Sequence, residues 1–331
     1  MYQFFIGCDI SKLFFDISYF DEGPKYLGGF SNDSEGFKMM VESLGKKTDI
    51  LETSWFVCLE NTGVYSKAMV EWLISRQISC REENPLKIAR SIGIKRGKSD
   101  KADSKSICRY AFEKRDSIKP TKLSSPLIIN LKKLLSRREF LVKQKQALSL
   151  TLKEQKAQLD PDLRELMEAQ NKELAKVYKR QINEIEKQIE QTIGEEDSLK
   201  KNDELAQSIT GIGPVISAYL IAFTENYTCF TDARKFASYC GVAPFVHNQS
   251  GNKQGKSRVS HMANKKIKSL LSMGASASVM YDKEIRLYYL RKLKESKEKG
   301  VVLNAVKNKL LQRVFAIIKR QTPYVKLMNY A

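Results

Sequence analysis

Four acidic residues have the type and spacing to bind a metal ion together. Asp9 lies within the apolar run "FFIGCDISKLFFDI" (4–17). A carboxylate in a buried strand costs several kcal/mol unless it is paired or binds a metal, so either the strand is exposed or Asp9 has a cation. Glu60 closes a second apolar run, "SWFVCLE". Asp100 and Asp103 are three residues apart in "KSDKADSK", which places both on one face of a predicted helix.

Together the four carboxylates have the chemistry of a divalent-metal site. Hard oxygen ligands at one point favour Mg²⁺ or Mn²⁺, and two such ions can clamp the attacking and leaving oxygens of a phosphodiester. Each residue also has a simpler explanation. Asp9 can cap a turn with Ser11, Glu60 can sit at a solvated strand end, and the two other aspartates can pair with neighbouring lysines. Their order along the chain favours the metal site.

The elements that must position these residues follow an α/β pattern. Strands are predicted at 3–10, 13–20 and 25–30. A helix, a strand ending near Glu60, a second helix, a strand at 78–85 and helices starting near Pro85 and Asp100 come next. This is the order of an RNase H-like α/β domain, in which the first and fourth strands are neighbours. Such a fold brings the four carboxylates together.

A different pattern runs from about residue 125 to 193. Apolar residues recur there every three or four positions among Lys, Glu and Gln, which predicts two long helices broken at "DPDL" (160–163). The helices form either an antiparallel hairpin or an intermolecular coiled coil. We expect them to join protomers, with Ile182, Ile185 and Ile189 at the contact.

The charge distribution indicates a polyanionic partner. The chain of 331 residues has a net charge of +19. Residues 1–80 hold 7 Lys and Arg against 11 Asp and Glu, so residues 81–331 carry +23. A regional excess of this size favours nucleic acid over a generally basic surface.

The same composition bears on location and on zinc. No stretch approaches the ~18 to 20 uncharged apolar residues that span a bilayer, and the N-terminus lacks the basic region and cleavage site of a signal peptide. We therefore expect no membrane partner and a cytoplasmic protein that is nucleoid-associated when bound to DNA. The six cysteines form no CxxC pair, which disfavours a zinc site.

The last third of the chain contains two ambiguous glycine segments. Ser250 in "HNQSGNKQGKS" is either an ordinary loop residue or a nucleophile that would need activation. Gly211 and Gly213 in "GIGP" form either a helix-hairpin-helix turn that approaches a phosphate or a glycine cap before a proline helix start. The basic residues proposed to contact nucleic acid are Lys253, Lys256, Arg258, Lys265 and Lys266.

Several of these segments resemble one family. "GCDISK", "LENTGVYS", "NPLKIARSIGIKRGKSDKADSKSICRYA", "ITGIGPVISAYLIAF" and "ASYCGVAPFVHNQSGNKQGKSRVSHMANKKIKSLL" are similar to the insertion sequence one-ten family of transposases. That family is similar to Piv-type DNA invertases and includes bridge-RNA-guided recombinases. The resemblance covers nearly the whole chain, with both motif sets in the family's order.

The resemblance implies three domains. They are a RuvC-like DEDD domain (1–122), an α-helical coiled-coil connector (123–200) and a mainly α C-terminal transposase domain (201–331). The implied catalytic residues are Asp9, Glu60, Asp100 and Asp103, which would hold Mg²⁺ or Mn²⁺, and Ser250, which would form a covalent phosphoserine with DNA. The implied partners are donor and target DNA and a guide (bridge) RNA. Because recombination must handle four strand ends at once, we also expect a homodimer that assembles into a tetramer on DNA.

This chain departs from the family pattern at several positions. Asn61 stands in a motif that usually reads Glu-Ala-Thr-Gly, Ser99 and Ser104 replace Thr and Ala, and His261 and Ala263 replace Lys and Gly. Two other functions remain open. A structure-selective endonuclease of the Holliday-junction resolvase type would use water with the same carboxylates, and a non-catalytic nucleic-acid-binding protein would need none of them.

Overall fold

A mixed five-stranded sheet forms the centre of the N-terminal part of this computed structural model. Its strands are β1 (Phe4–Ile10), β2 (Phe14–Phe20), β3 (Pro24–Ser31), β4 (Trp55–Glu60) and β5 (Ser79–Glu83), in the order β3-β2-β1-β4-β5. β1, β2 and β3 pair antiparallel through short turns, whereas β1, β4 and β5 run parallel and need longer connections that contain helices. The mixed sheet is compatible with the predicted RNase H-like domain.

The structure describes residues 2–92, 99–155, 160–246, 249–250, 253–254, 257–259 and 263–325. The chain divides into two compact units, Met1–Leu123 and Ser124–Ala331. The division into three domains stays a prediction. In the described part of the chain, no helix is both long enough and apolar enough to cross a membrane.

Helices cover both faces of the sheet in the first unit. They are α1 (Ser34–Gly45), α2 (Lys67–Ser75), α3 (Pro85–Ile92) and α4 (Asp100–Glu113). α1 and α2 share one core with the strands, and α3 and α4 contribute to a second core on the opposite face. Because successive side chains of a strand point to opposite faces, β1 and β4 supply both cores. This double burial explains their nearly continuous apolar sequences.

Two long antiparallel helices begin the second unit, α5 (Pro126–Gln155) and α6 (Pro161–Gly194). Arg138 forms an ion pair with Glu186 at 2.6 Å, and the Asn171 amide donates to the Leu148 carbonyl oxygen. The predicted break at 160–163 is confirmed, since α6 starts at Pro161, whose fixed φ suits a first helical turn. These contacts form an antiparallel hairpin within one chain.

The expectation that the three isoleucines join protomers is wrong. Ile182 and Ile189 are already buried within their own chain, and Ile185 packs against the core of the second unit. The exposed apolar side chains of α6 lie elsewhere. They are Leu163, Leu166, Leu174 and Val177.

The rest of the second unit is mainly helical. It contains α7 (Asp197–Gln207), α8 (Pro214–Thr224), α9 (Ala233–Tyr239), α10 (Lys265–Tyr281), α11 (Lys283–Lys294) and α12 (Lys299–Arg320). Between α9 and α10, β6 (Pro244–Val246) pairs with β9 (Ser257–Val259), and β7 (Gln249–Ser250) pairs with β8 (Lys253–Gln254). α8 is buried along most of its length, which accounts for its apolar sequence.

Candidate active site

Asp9 and Glu60 lie side by side at the carboxyl ends of two parallel strands. The register pairs Cys8 of β1 with Leu59 of β4, so the next residues of both strands are neighbours. Both carboxylates lie on the face covered by α4, because they follow the alternation that places Phe5 and Phe56 in the core beneath that helix. The spatial proximity expected from the strand order is therefore present in the sheet.

Gly7 allows α4 to lie directly on this face. A Cβ atom at Gly7 would be 2.1 Å from the Cys108 backbone nitrogen and 2.4 Å from the Ser104 carbonyl oxygen. The hydroxyls of Ser104 and Ser18 are 2.8 Å apart and form a buried hydrogen bond between α4 and β2. Close packing at these points holds the first turn of the helix, with its two aspartates, near the strand ends.

The first turn of α4 is locally well specified. Ser99 is the N-cap, and its hydroxyl accepts a hydrogen bond from the Ala102 backbone N–H at 3.3 Å. Asp100 and Asp103 lie in that turn, where the positive end of the helix dipole favours negative charge. Serine is as suitable a cap as the threonine usual in the family, so this departure leaves the turn intact.

The carboxylates act on one another electrostatically. Burial, followed by the charges of Asp103, Glu60 and Asp100, raises the pKa of Asp9 to about 6. Among the residues that the structure describes, however, no three His, Cys, Asp or Glu side chains lie close enough together to hold one ion. Neighbouring carboxylates repel one another, so they share one end of the sheet without forming a compact ligand shell. Their oxygen-donor chemistry fits a hard divalent cation.

Asp16 is a further carboxylate that the sequence analysis missed. It lies directly opposite Asp9 in the antiparallel β1–β2 register, and its charge also raises the pKa of Asp9. The Tyr26 hydroxyl donates to Asp16 Oδ1 at 2.5 Å, and this hydrogen bond is the first cause that raises the pKa of Tyr26 to about 12. The predicted turn could not reveal this pair, because a two-residue turn at Ser11–Lys12 would pair residue 9 with residue 14, whereas the observed register pairs Asp9 with Asp16.

Asn61 has a structural explanation for its departure from the family pattern. Its side-chain oxygen accepts a hydrogen bond from the Gly63 backbone N–H at 3.0 Å. Its backbone N–H donates to the Glu83 carbonyl oxygen. Gly63 has a φ of +77°, which a glycine adopts without strain. The asparagine thus stabilises the turn that leaves Glu60 at the end of β4.

Ser250 lies in the small β7–β8 ladder, where its backbone pairs with that of Lys253. Arg258 is in β9, opposite Phe245. Lys256 and His261 fall outside the described residues. The roles of Ser250, Lys253, Lys256 and Arg258 stay predictions.

The two lysines at the start of α10 differ in their surroundings. Lys265 is exposed. Lys266 forms an ion pair with Glu139 at 3.7 Å and lies 6.0 Å from the centre of the Tyr219 ring. Lys265 is therefore better placed to contact a phosphate, whereas Lys266 has partners within its own unit.

Gly211 and Gly213 have a packing explanation. Gly211 has a φ of +97°, and a Cβ atom there would lie 2.1 Å from the Ser278 hydroxyl and 2.4 Å from the Gly274 carbonyl oxygen of α10. Gly213 is the N-cap residue of α8, which starts at Pro214. This geometry matches the reading of a glycine segment before a proline helix start. The binding of nucleic acid at these glycines stays a prediction.

Comparisons with known proteins place the chain in a family. Residues 203–290 match the model described as "Transposase IS116/IS110/IS902 family", and residues 6–161 match the DEDD transposase model of IS110 elements. The chain belongs to the IS110 family of transposases. Segment 6–161 contains all four predicted carboxylates, and segment 203–290 contains Ser250. Membership makes this protein an enzyme that acts on DNA in recombination.

Curated relatives agree with this assignment. The pilin gene-inverting proteins of Moraxella lacunata and Moraxella bovis are each 26% identical to this chain over 344 aligned residues, covering 99% of this chain and all of the relative. The insertion element IS116 uncharacterized 44.8 kDa protein of Streptomyces clavuligerus is 33% identical over 89 residues, which cover 27% of this chain and 22% of that protein. This IS110-family member is thus similar along its length to DNA-inverting proteins.

Proposed function

We propose that this protein is an insertion-sequence recombinase that cuts and rejoins DNA through a covalent phosphoserine. The observation that carries the proposal is the placement of Asp9, Glu60 and the first turn of α4 at one end of the sheet, on one face. Such a cluster suits phosphodiester chemistry. The inverting activity named for the Moraxella relatives supports rejoining rather than simple cleavage.

Asp9, Glu60, Asp100 and Asp103 would hold Mg²⁺ or Mn²⁺. When bound, the metal would polarise a phosphodiester and stabilise the charge that develops on its oxygens. The four carboxylates would hold the metal at one end of the sheet, so the reacting phosphodiester would have to bind there. Partial burial of Asp9 and the raised pKa of its carboxyl support the assignment, because a divalent cation removes the repulsion among these side chains.

Ser250 would be the nucleophile. Its Oγ would form a bond to phosphorus while the bond from phosphorus to the leaving DNA oxygen breaks. The proton lost by the serine hydroxyl would be transferred to that leaving oxygen. Lys253 lies opposite Ser250 in the ladder. Its ammonium group would be a nearby cation that favours the serine alkoxide. Exchange of one phosphodiester for another needs no external energy source, in agreement with the absence of a Walker A sequence.

Further copies of the chain and a guide RNA complete the proposal. We infer a homodimer that pairs into a tetramer on DNA, because four strand ends must be handled together and a symmetric assembly supplies the active sites. The net charge of +23 on residues 81–331 supports contacts with both donor and target DNA and with a structured RNA.

The decisive experiment concerns Ser250→Ala. With the wild-type protein, DNA strands should become covalently attached during cleavage, and mass spectrometry should locate the adduct on Ser250. Ser250→Ala should lose both the adduct and the recombined product while it still binds DNA, because a serine hydroxyl in this position is expected to contribute little to folding. Cleavage at a normal rate without an adduct would instead identify a water-using nuclease. An adduct on Ser257 or Ser260 would support a phosphoserine mechanism but would refute Ser250 as the nucleophile.

A further inference from the structure

A basic pocket lies at the outer edge of the sheet in the first unit. It has a volume of about 300 Å³ and is lined by residues of β5, α3, α4 and the segment after α4. Its basic lining residues are Arg81, Lys87, Lys114 and Lys119. Four cations around one cavity create a strong local positive potential.

Among the described residues that line this pocket, one is a carboxylate, and it already has several partners. Glu83 is 5% exposed. It is 3.1 Å from the Lys87 ammonium and 3.6 Å from Arg81 Nε, and it accepts a hydrogen bond from the Tyr110 hydroxyl at 3.2 Å. These contacts hold the pKa of Glu83 below its usual value despite burial. Its one negative charge cannot neutralise all four cations.

The remaining donors have capacity for an anion. Arg81 Nε is buried and has no hydrogen-bond acceptor within 3.5 Å among the described residues, since its ion-pair partner Glu83 is 3.6 Å away. Within the same part of the chain, Lys114 and Lys119 form no ion pair within 4.0 Å. A buried donor without an acceptor is costly, and an arginine with nearby lysines suits a phosphate oxygen.

The position of the pocket connects it with the carboxylates. Arg81 pairs with Cys58 and Glu83 with Glu60 across β4 and β5, so the pocket shares the α4 face of the sheet. β5 is two strands from β1, or about 10 Å, and Lys114 follows Asp103 by roughly 16 Å along the helix axis. Because successive phosphates of a strand are several ångströms apart, these distances correspond to a few nucleotides of one strand.

We propose that this pocket binds a backbone phosphate of the DNA strand that is cut, a few nucleotides from the phosphodiester at the carboxylates. The identity of the strand rests on the proposed function. The pocket would fix the path of the strand across the sheet, so that the reacting phosphodiester reaches Asp9 and Glu60 in one register. RNA carries the same phosphate chemistry and is the competing source of the ligand.

The test uses the full-length protein with the double substitution Lys114→Ala/Lys119→Ala. The matched control is Lys38→Ala/Lys47→Ala, which removes the same charge from exposed positions in and just after α1, the helix that packs on the opposite face. Affinity for a DNA duplex and for a structured RNA is measured over a range of salt concentrations in Ca²⁺, where binding is read without cleavage. Lys114→Arg/Lys119→Arg tests rescue by retained charge.

We expect the pocket variant to lower the salt dependence of DNA binding, because each lost phosphate contact reduces the slope by about 0.9. Loss of the one phosphate held by the pocket reduces the slope by about 0.9 at most, the arginine variant restores it, and the control leaves it unchanged. Equal slopes for pocket and control variants overturn the proposal, and so does a change confined to RNA. Since this readout needs no cleavage, it is independent of whether wild-type protein forms the Ser250 adduct.

Discussion

At the scale of single residues, the ionised carboxylate of Asp9 lowers the stability of the metal-free protein. Its carboxyl has a pKa of about 6 instead of 3.8 in the folded chain, so its ionisation is less favourable there than in the unfolded chain. The metal-free protein should therefore lose stability as the pH rises from 3.8 to about 6, and it should stay less stable above that range. For a half-exposed group the loss is about 1 to 2 kcal/mol after allowance for solvent screening.

Asp9→Asn tests this interpretation. In a chelator, the variant should lack the loss of stability over that pH range and should be more stable than wild type at neutral pH. With Mg²⁺, wild type should gain thermal stability, whereas the variant should gain little and cleave no DNA. Unfolding curves with and without Mg²⁺, recorded beside DNA binding, provide the measurement. Full cleavage by the variant would rule out Asp9 as a ligand.

Asp16 should act on the site through Asp9 and Tyr26. Asp16→Asn removes the charge opposite Asp9, and we expect the Mg²⁺ concentration for half-maximal cleavage to rise about tenfold, as for a group that supports a ligand without replacing it. The maximal rate at saturating Mg²⁺ should change less. Tyr26→Phe removes only the hydrogen bond to Asp16 and should have a smaller effect in the same direction. An unchanged metal requirement in Asp16→Asn would exclude this role.

At the scale of elements, the site depends on how closely α4 lies on β1. Gly7→Ala would place a methyl group about 2.1 Å from the backbone of Cys108. Since backbone atoms cannot rotate away, the helix must shift, at a cost of about 3 kcal/mol or more. We expect a lower melting temperature and a loss of cleavage, because the first turn of α4 moves with the helix.

Gly45→Ala is the matched control for Gly7→Ala. A Cβ atom at Gly45 meets no atom within 4 Å, so this variant should melt near the wild-type temperature and cleave normally. If both alanine variants behave like wild type, the close approach at Gly7 has no role in the site.

At the scale of the whole molecule, we expect a second copy to cover the exposed apolar face of α6. Leu163, Leu166, Leu174 and Val177 are 41% to 54% exposed, and at 3.6 residues per turn they fall within about 80° of the helix surface. Leu166→Ser/Leu174→Ser should leave a folded chain of smaller mass in light scattering, with reduced recombination. Glu165→Ser/Lys172→Ser, on the opposite side of the helix, should leave the assembly intact. An unchanged oligomer in the leucine variant would move the interface elsewhere.

Much of the first unit could be predicted from local patterns. The apolar runs, their turns and the caps marked the strands and helices. The order of these elements and the family resemblance both pointed to Asp9, Glu60, Asp100 and Asp103 as the expected metal ligands. Asp16 was overlooked because a cross-strand neighbour depends on the register of the hairpin, which is set by the length of the turn. The isoleucines of α6 were misplaced because an amphipathic pattern marks a buried face without naming what covers it.

What the sequence by itself determined is the kind of each element and the chemical character of the site: alternating strands, capped helices, hard oxygen donors and a basic C-terminal region. The tertiary structure alone decided which atoms meet. The approach of α4 to Gly7, the packing of Gly211 on α10 and the basic pocket beside Glu83 join residues far apart in the chain. Such contacts depend on how whole elements pack against one another. Because protein interiors are close-packed, shifts of tenths of an ångström decide these contacts, and no local sequence pattern encodes them.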